Sequence, residues 1–293
     1  MRITNRMMNE QVLQNLHAGM KRLADYNQQL STGKKVSRPH EDPVIIRKSM
    51  GLNSNLAEIQ QYTRNLDQGL SWLETTDSAI NQVINSLHRA KELAVQGANG
   101  TWGQDDMERI AEEVDQIYQH VYTLSKTQYD GKYIFSGTKT LTAPYDLGSD
   151  GNVTAYQGDT NSVQYEIGHN VYVAVNVVGE DLFADIFAAL EGLRSSLQSG
   201  DQSGVDSAIG SLDSALGNAL TIQSKVGAAA NRFELTKIRL AGQNVNITEL
   251  LSENEDVDIA EVIMELNMQE NVYKAALGSA ARIIQPSLID FLR

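Results

Sequence analysis

The sequence predicts a mainly α protein, an elongated, discontinuous helical coiled-coil bundle with one small inserted antiparallel β domain. Three observations carry this. The two ends bear matching amphipathic stripes at three-four spacing. Long four-three apolar runs lie inside them. β-Branched alternation is confined to the middle of the chain. A chain that leaves on one helix and returns on another builds discontinuous domains. The expected division is 1–43 with 251–293 as a terminal helical domain, 44–139 with 183–250 as a bundle, and 140–182 as an outward-facing β insert.

The first helix carries Leu13, Leu16, Met20, Leu23 and Leu30 on one stripe. It fades at Leu30-Ser31-Thr32-Gly33-Lys34-Lys35, where Gly33 suits a left-handed C′ residue and the lysines suit the negative helix pole. Asp42-Pro43 reads as an N-cap followed by proline at N1, so a second helix starts there. Leu52, Leu56, Ile59, Thr63, Leu66, Leu70, Leu73, Asp77, Ile80, Ile84, Leu87, Lys91 and Ala94 then alternate four-three without a skip. That is a coiled-coil seam, in which Asp77 and Lys91 are register-setting or edge positions. Ala98-Asn99-Gly100 turns the chain back. A third helix follows Asp105 and Asp106, with Met107, Ile110, Val114, Ile117, Val121 and Leu124 in its seam.

Over 140–180 the runs Val153–Tyr156, Val163–Ile167 and Val171–Val175 predict a small meander, with turns at Asp150-Gly151, Gly158-Asp159 and Gly168-His169-Asn170. Residues 140–193 contain no lysine or arginine against eight carboxylates: Asp146, Asp150, Asp159, Glu166, Glu180, Asp181, Asp185 and Glu191. Such a one-signed module faces solvent. Helical pattern resumes near Leu182. A second long seam runs from Val205 through Ala208, Leu212, Ala215, Ala219, Ile222, Val226, Ala229, Phe233, Thr236 and Leu240 to Ile247, its alanines permitting close helix approach. After the polar break Asn254–Asp258, the last helix carries Ile259, Val262, Leu266, Tyr273, Leu277, Ile284 and Leu288, with Pro286 near its end.

Composition removes whole classes of function. A formal net charge of −13 is wrong for phosphate recognition, so no nucleic-acid partner is expected. Cysteine is absent, which excludes disulfides, thiolate metal sites and a cysteine nucleophile. The start lacks the apolar core of a cleaved secretory signal, and no apolar run approaches the roughly 20 residues that span a bilayer, so no stable membrane association is expected. The histidines His17, His40, His88, His120 and His169 show no ligand spacing. No nucleophile elbow, phosphate loop or dinucleotide glycine pattern occurs. Asp146–Asn152 only faintly resembles a calcium loop, since the positions needing oxygen ligands hold Gly148 and Gln157; it reads as a polar hairpin turn. No catalytic, cofactor or metal site is expected.

The terminal stripes pose the functional question. An isolated amphipathic helix is marginal in water. Two of them paired still expose apolar surface, unless the ends complete one intramolecular bundle. The candidate assembly interface is therefore Leu13, Leu16, Met20, Leu23 and Leu30 with Ile259, Val262, Leu266, Tyr273, Leu277, Ile284 and Leu288, packed against copies of the same chain in a ring or tube.

Several segments carry a resemblance. Leu30–Val36 with Glu41-Asp42-Pro43, and Arg89–Thr101, resemble bacterial flagellin-type proteins. Tyr133–Thr138, Tyr156–Asp159 and Val178–Phe183, together with the ending Ala280–Leu292, resemble the hook–filament junction branch of that family, the hook-associated protein 3 family. The resemblance implies a structural flagellar subunit, secreted unfolded through the flagellar type III apparatus. Its implied partners are copies of itself in a ring, another hook-associated junction protein on the hook side, flagellin on the filament side, and an export chaperone at the C-terminal helix. The terminal helices would form an inner tube, with the β module outside. A short filament flagellin is the near alternative; an exported enzyme or adhesin using residues 140–182 is the distant one.

Overall fold

The computed structural model describes residues 5–99, 103–148 and 151–284. Among these the fold is mainly α: α1 (Asn5–Thr32), α2 (Pro43–Ala98), α3 (Gln104–Ser125), α4 (Gly179–Ser199), α5 (Gln202–Glu255) and α6 (Ile259–Ile284). Two small antiparallel sheets accompany them: β1 (Gln128–Tyr129) with β2 (Lys132–Tyr133), and β3 (Gln164–Gly168) with β4 (Val171–Ala174). The chain divides into two compact units, residues 1–58 with 243–293, and residues 59–242.

In the first unit the predicted punctuation is in place. Gly33 ends α1 at φ +70°, its N–H donating to the Gln29 carbonyl at 2.8 Å. Asp42 caps α2 by accepting from the N–H groups of Val44 (2.8 Å) and Ile45 (3.2 Å). Asp258 does the same for α6 with Ala260 (2.9 Å) and Glu261 (3.3 Å). The link after α1 is tied to the link before α6. Lys35 N–H donates to the Glu255 carbonyl at 2.6 Å and Val257 N–H to the Gly33 carbonyl at 3.0 Å, forming an antiparallel bridge at Lys34 and Asp256. Lys34 Nζ also meets Glu255 Oε1 at 2.6 Å. Glu41 accepts from the N–H groups of Ser37 and Arg38, and these bonds hold its carboxyl below the usual range.

In the second unit α2 and α5 run antiparallel. Asp67 pairs with Lys237 at 2.7 Å, Gln223 donates to Asp77 at 3.3 Å, and Lys91 meets Asp213 at 2.5 Å. Each advance along α2 is matched by a similar retreat along α5. Both polar seam positions of α2 are thus cross-helix contacts, as register-setting residues would be. Arg89 reaches Glu113 at 2.6 Å from α2 to α3, and Arg194 reaches Asp115 at 2.7 Å from α4 to α3. Between residues 72 and 94, α2 buries Trp72, Thr76, Val83, Ala90 and Leu93 beside its seam residues Leu73, Ile80, Leu87 and Ala94. Two buried faces mean neighbours on two sides, which a single seam did not predict.

Two expectations are corrected. The closest helix approaches are α1 with α6 and α3 with α4, not along the alanine seam of α5. The α5 face toward α2 is not alanine throughout: the Phe233 ring of α5 sits directly over Gly69 of α2. The three-stranded meander is a two-stranded hairpin, β3–β4, turned at Asn170 with φ +57°. The segment expected as a third strand folds back instead: Thr154 N–H donates to the Asp146 carbonyl at 2.8 Å and Gln157 N–H to Pro144 at 2.9 Å. Only a single bridge, Leu147 with Val153, remains of strand pairing there. The other hairpin, β1–β2, lies before residue 140, its turn at Asp130 (φ 49°) and Gly131 (φ 72°) having the Asp-Gly chemistry of a primed turn.

Candidate assembly interface

The helices α1 and α6 pair antiparallel. Gly19 faces Tyr273 and Gln269, Tyr26 faces Glu265, and Lys34 faces Asp256, so the order along one helix reverses along the other. The absence of a side chain at Gly19 makes the contact close: a Cβ there would lie 3.3 Å from the Tyr273 ring. Tyr26 Oη donates to Glu265 Oε2 at 3.4 Å; partial burial, helped by that carboxylate, holds its phenol above the ordinary value. Gln269 Nε2 is buried in this seam without a hydrogen-bond partner.

The predicted interface residues divide. Val262 is buried, at 4% exposure, and Leu16, Leu23, Leu30, Leu266 and Tyr273 are half-buried along the seam. Leu13 (50%), Met20 (57%), Ile259 (56%) and Leu277 (44%) stay exposed. Ile284 is the last residue of α6, and Leu288 lies outside the described residues. The structure adds exposed apolar residues that the seam reading passed over: Ile263, Met264, Met268 and Val272. Their signal was present, because Met264, Met268 and Val272 stand at i, i+4, i+8, a second stripe beside the first.

The motif residues of the second unit converge on one buried cluster. Phe135, Tyr145, Phe183 and Phe187 are all buried, with ring pairs of Phe135–Phe183 at 4.9 Å and Tyr145–Phe187 at 5.2 Å, both edge-on. Tyr156 Oη donates to the Phe135 carbonyl at 2.8 Å, and Tyr145 Oη to Gly179 at 3.1 Å. Burial pushes the Tyr156 phenol up to about 12 and Tyr145 higher still. Gly137, at φ +66°, abuts the Asp159 carbonyl, and Asp159 accepts from Thr138 N–H at 2.6 Å. The three segments Tyr133–Thr138, Tyr156–Asp159 and Val178–Phe183 are therefore one packing motif, which sequence reading alone left as separate words.

The carboxylates of 140–193 are mostly occupied in such structural roles. Asp146 sits 3.9 Å from Lys126, Glu191 accepts from Asn152 at 2.9 Å, and Glu166 accepts from Asn170 N–H at 3.3 Å. Glu180, Asp181 and Asp185 border a groove of about 640 Å³ with Asn218 and Lys225. Asp150 lies outside the described residues. Among those residues, no group of three or more His, Asp or Glu is placed to hold a metal ion, and no helix is long and apolar enough to cross a membrane.

Comparison with known proteins follows the same architecture. The bacterial flagellin N-terminal helical region matches residues 3–140, and the bacterial flagellin C-terminal helical region matches residues 209–292. Flagellar hook-associated protein 3 of Salmonella typhimurium is 28% identical over 184 residues, 62% of this chain and 57% of that protein's length. The crystal structure of Bacillus cereus FlgL is similar over 69% of this chain and 99% of its own, with a TM-score of 0.61 and 27% identity. Flagellar hook-associated protein 3 from Legionella pneumophila shares the fold over 69% of this chain and 97% of its own, with a TM-score of 0.64 and 17% identity. The chain thus belongs to the flagellin-type family of structural flagellar proteins and is homologous to its hook-associated protein 3 members.

Proposed function

We propose that this chain is a structural subunit of the bacterial flagellum, forming the junction layer that joins the hook, through another hook-associated protein, to the flagellin filament. The observation that carries the reading is the apolar surface that α1 and α6 leave exposed after pairing with each other. Met20, Met264, Met268 and Val272 each keep more than half of their surface in solvent, and an exposed stripe of that kind marks a protein contact. Homology to hook-associated protein 3 supports the flagellar junction as the assembly that contact serves. On this reading the partners are copies of the chain in a ring, a second hook-associated protein below, flagellin above, and an export chaperone on the C-terminal helix. The protein is exported by the flagellar type III apparatus, works outside the cell, and carries neither a cofactor nor a catalytic activity.

Removing the chain from Tyr273 onward tests this. The second unit lies wholly within residues 59–242 and should stay folded by circular dichroism, while incorporation and swimming are lost. Normal motility in such a strain overturns the proposal. Seeding separates the junction from a short filament flagellin: a junction subunit stops at a thin layer, whereas a flagellin grows long filaments.

A further inference from the structure

Resting on that reading, we propose that Met20, Met264 and Met268 are modification sites, at which a hydroperoxide converts each thioether to a sulfoxide and keeps the free chain from assembling. The chain has eight methionines and no cysteine, so all of its sulfur is thioether. Seven of the eight lie in the terminal unit, residues 1–58 with 243–293; the exception is Met107 on α3. Six of those seven fall among the described residues: Met7, Met8, Met20, Met50, Met264 and Met268. All six are exposed, at 43% to 68%, whereas Met107 is buried at 8%. The seams of the second unit are filled instead by Leu, Ile, Val, Ala and Phe, which no mild oxidant attacks. Sulfur is thus concentrated on the surface that assembly uses, and is nearly absent from the core that folds the chain.

A solvent-facing thioether is open to peroxide. Its lone pair attacks one peroxide oxygen, and the S–O bond forms as the O–O bond breaks. The proton on the attacked oxygen passes to the leaving hydroxide, which departs as water. Sulfur loses two electrons and the peroxide gains them. The product is polar and chiral where the thioether was apolar and pliable. Met264 and Met268 stand one turn apart in the stripe that continues to Val272, so two sulfoxides would interrupt a single apolar contact. Seated against a neighbour, each sulfoxide oxygen loses water and gains no matching donor from an apolar surface, which disfavours the contact. In the free chain the same oxygen stays solvated, so the fold itself is left alone. The contact also shields the sulfurs once it has formed. Oxidation therefore acts on the free chain and spares a seated subunit.

Hydrogen peroxide tests this on the full-length free chain. Peptide mass mapping should place sulfoxide on Met20, Met264 and Met268 well before Met107. The oxidised chain should need about tenfold or more concentration for seeded assembly, with its circular dichroism unchanged. The two methionine sulfoxide reductases, one for each epimer, should restore assembly. Met20→Leu, Met264→Leu and Met268→Leu combined keep apolar volume and helix propensity, so this variant should assemble equally with and without peroxide. An oxidised chain that assembles at the original concentration overturns the proposal, as does a triple variant that loses assembly to peroxide as the unmodified chain does. Should the variant fail to assemble even unoxidised, the reductases decide: no recovery after verified reduction overturns the proposal. Failure of the unmodified, unoxidised chain to assemble under any seeding overturns the junction reading instead.

Discussion

Gly179 shows how a single residue holds the second unit's core. It opens α4, its N–H donates to the Phe135 carbonyl at 2.9 Å, and its own carbonyl accepts from Tyr145. A Cβ there would lie 2.6 Å from the Phe135 carbonyl oxygen and 3.1 Å from the Tyr156 ring. The nearest atom is backbone, so it has little room to yield. Gly179→Ala should cost about 1–3 kcal/mol as an overpacked site, read as a melting temperature lower by roughly 2–4 °C per kcal/mol in a unit of this size. An unchanged melting temperature would show that the loop adjusts freely. Tyr156 makes a second prediction in the same cluster. Its folded pKa of about 12 exceeds the ordinary value of 10.0. The fold therefore favours the neutral phenol. That stabilisation is complete below pH 10 and is lost as pH rises toward 12. Alkaline titration should show a tyrosine fraction that ionises only together with loss of helix; ionisation of all tyrosines near pH 10 with helix retained would contradict it.

Among the elements, the α2–α5 pair separates what the sequence could reveal from what it could not. Its seam was legible from spacing alone, down to the polar positions Asp77 and Lys91, because a heptad needs only one chain to be read. Gly69 was not legible. In a helix interior a glycine reads as a weakness, yet here it is the gap that admits the fully buried Phe233 ring from the other helix. Gly69→Ala should gain up to about 1 kcal/mol of helix propensity but lose about 1–3 kcal/mol to overpacking. The expected outcome is a less stable protein by denaturant midpoint; a more stable one would mean the ring shifts aside. The same limit explains the rest. The cap at Asp42 and the turn at Gly33 are local and were read from the sequence, whereas Asp258, the cap of α6, was read only as part of a polar break. The fold-back of Thr154 and Gln157 depends on Asp146 and Pro144, eight and thirteen residues away, and the period-two pattern alone could not exclude a strand. The candidate interface followed this division too: the α1–α6 seam and the stripe at Met264, Met268 and Val272 are both periodic in sequence, but which of them faces the partner helix needed the pairing to be seen first.

For the whole molecule, stability should be divided between the two units. Residues 59–242 contain almost the entire buried apolar set, including Leu66, Ile80, Val114, Phe135, Phe183, Leu193 and Phe233 at 0% exposure. In the terminal unit the buried apolar side chains among the described residues are Val262 and Ala280, with a buried Gln269 amide left unpaired between the helices. Burial contributes roughly 25 cal/mol per Å², and an unsatisfied buried polar group costs about 1–3 kcal/mol. Pairing α1 with α6 therefore gains little in the free chain. Native-state hydrogen exchange should find the amides of 10–30 and 262–280 opening at far lower free energy than those of 79–94 and 182–193. Assembly supplies the apolar surface that the pair lacks, so the same amides should become protected, and protease sites there lost, when the chain is seated between its partners. Equal protection of both units in the isolated chain would mean that the terminal pair is stable without neighbours, and that its exposed stripes are not what drives assembly.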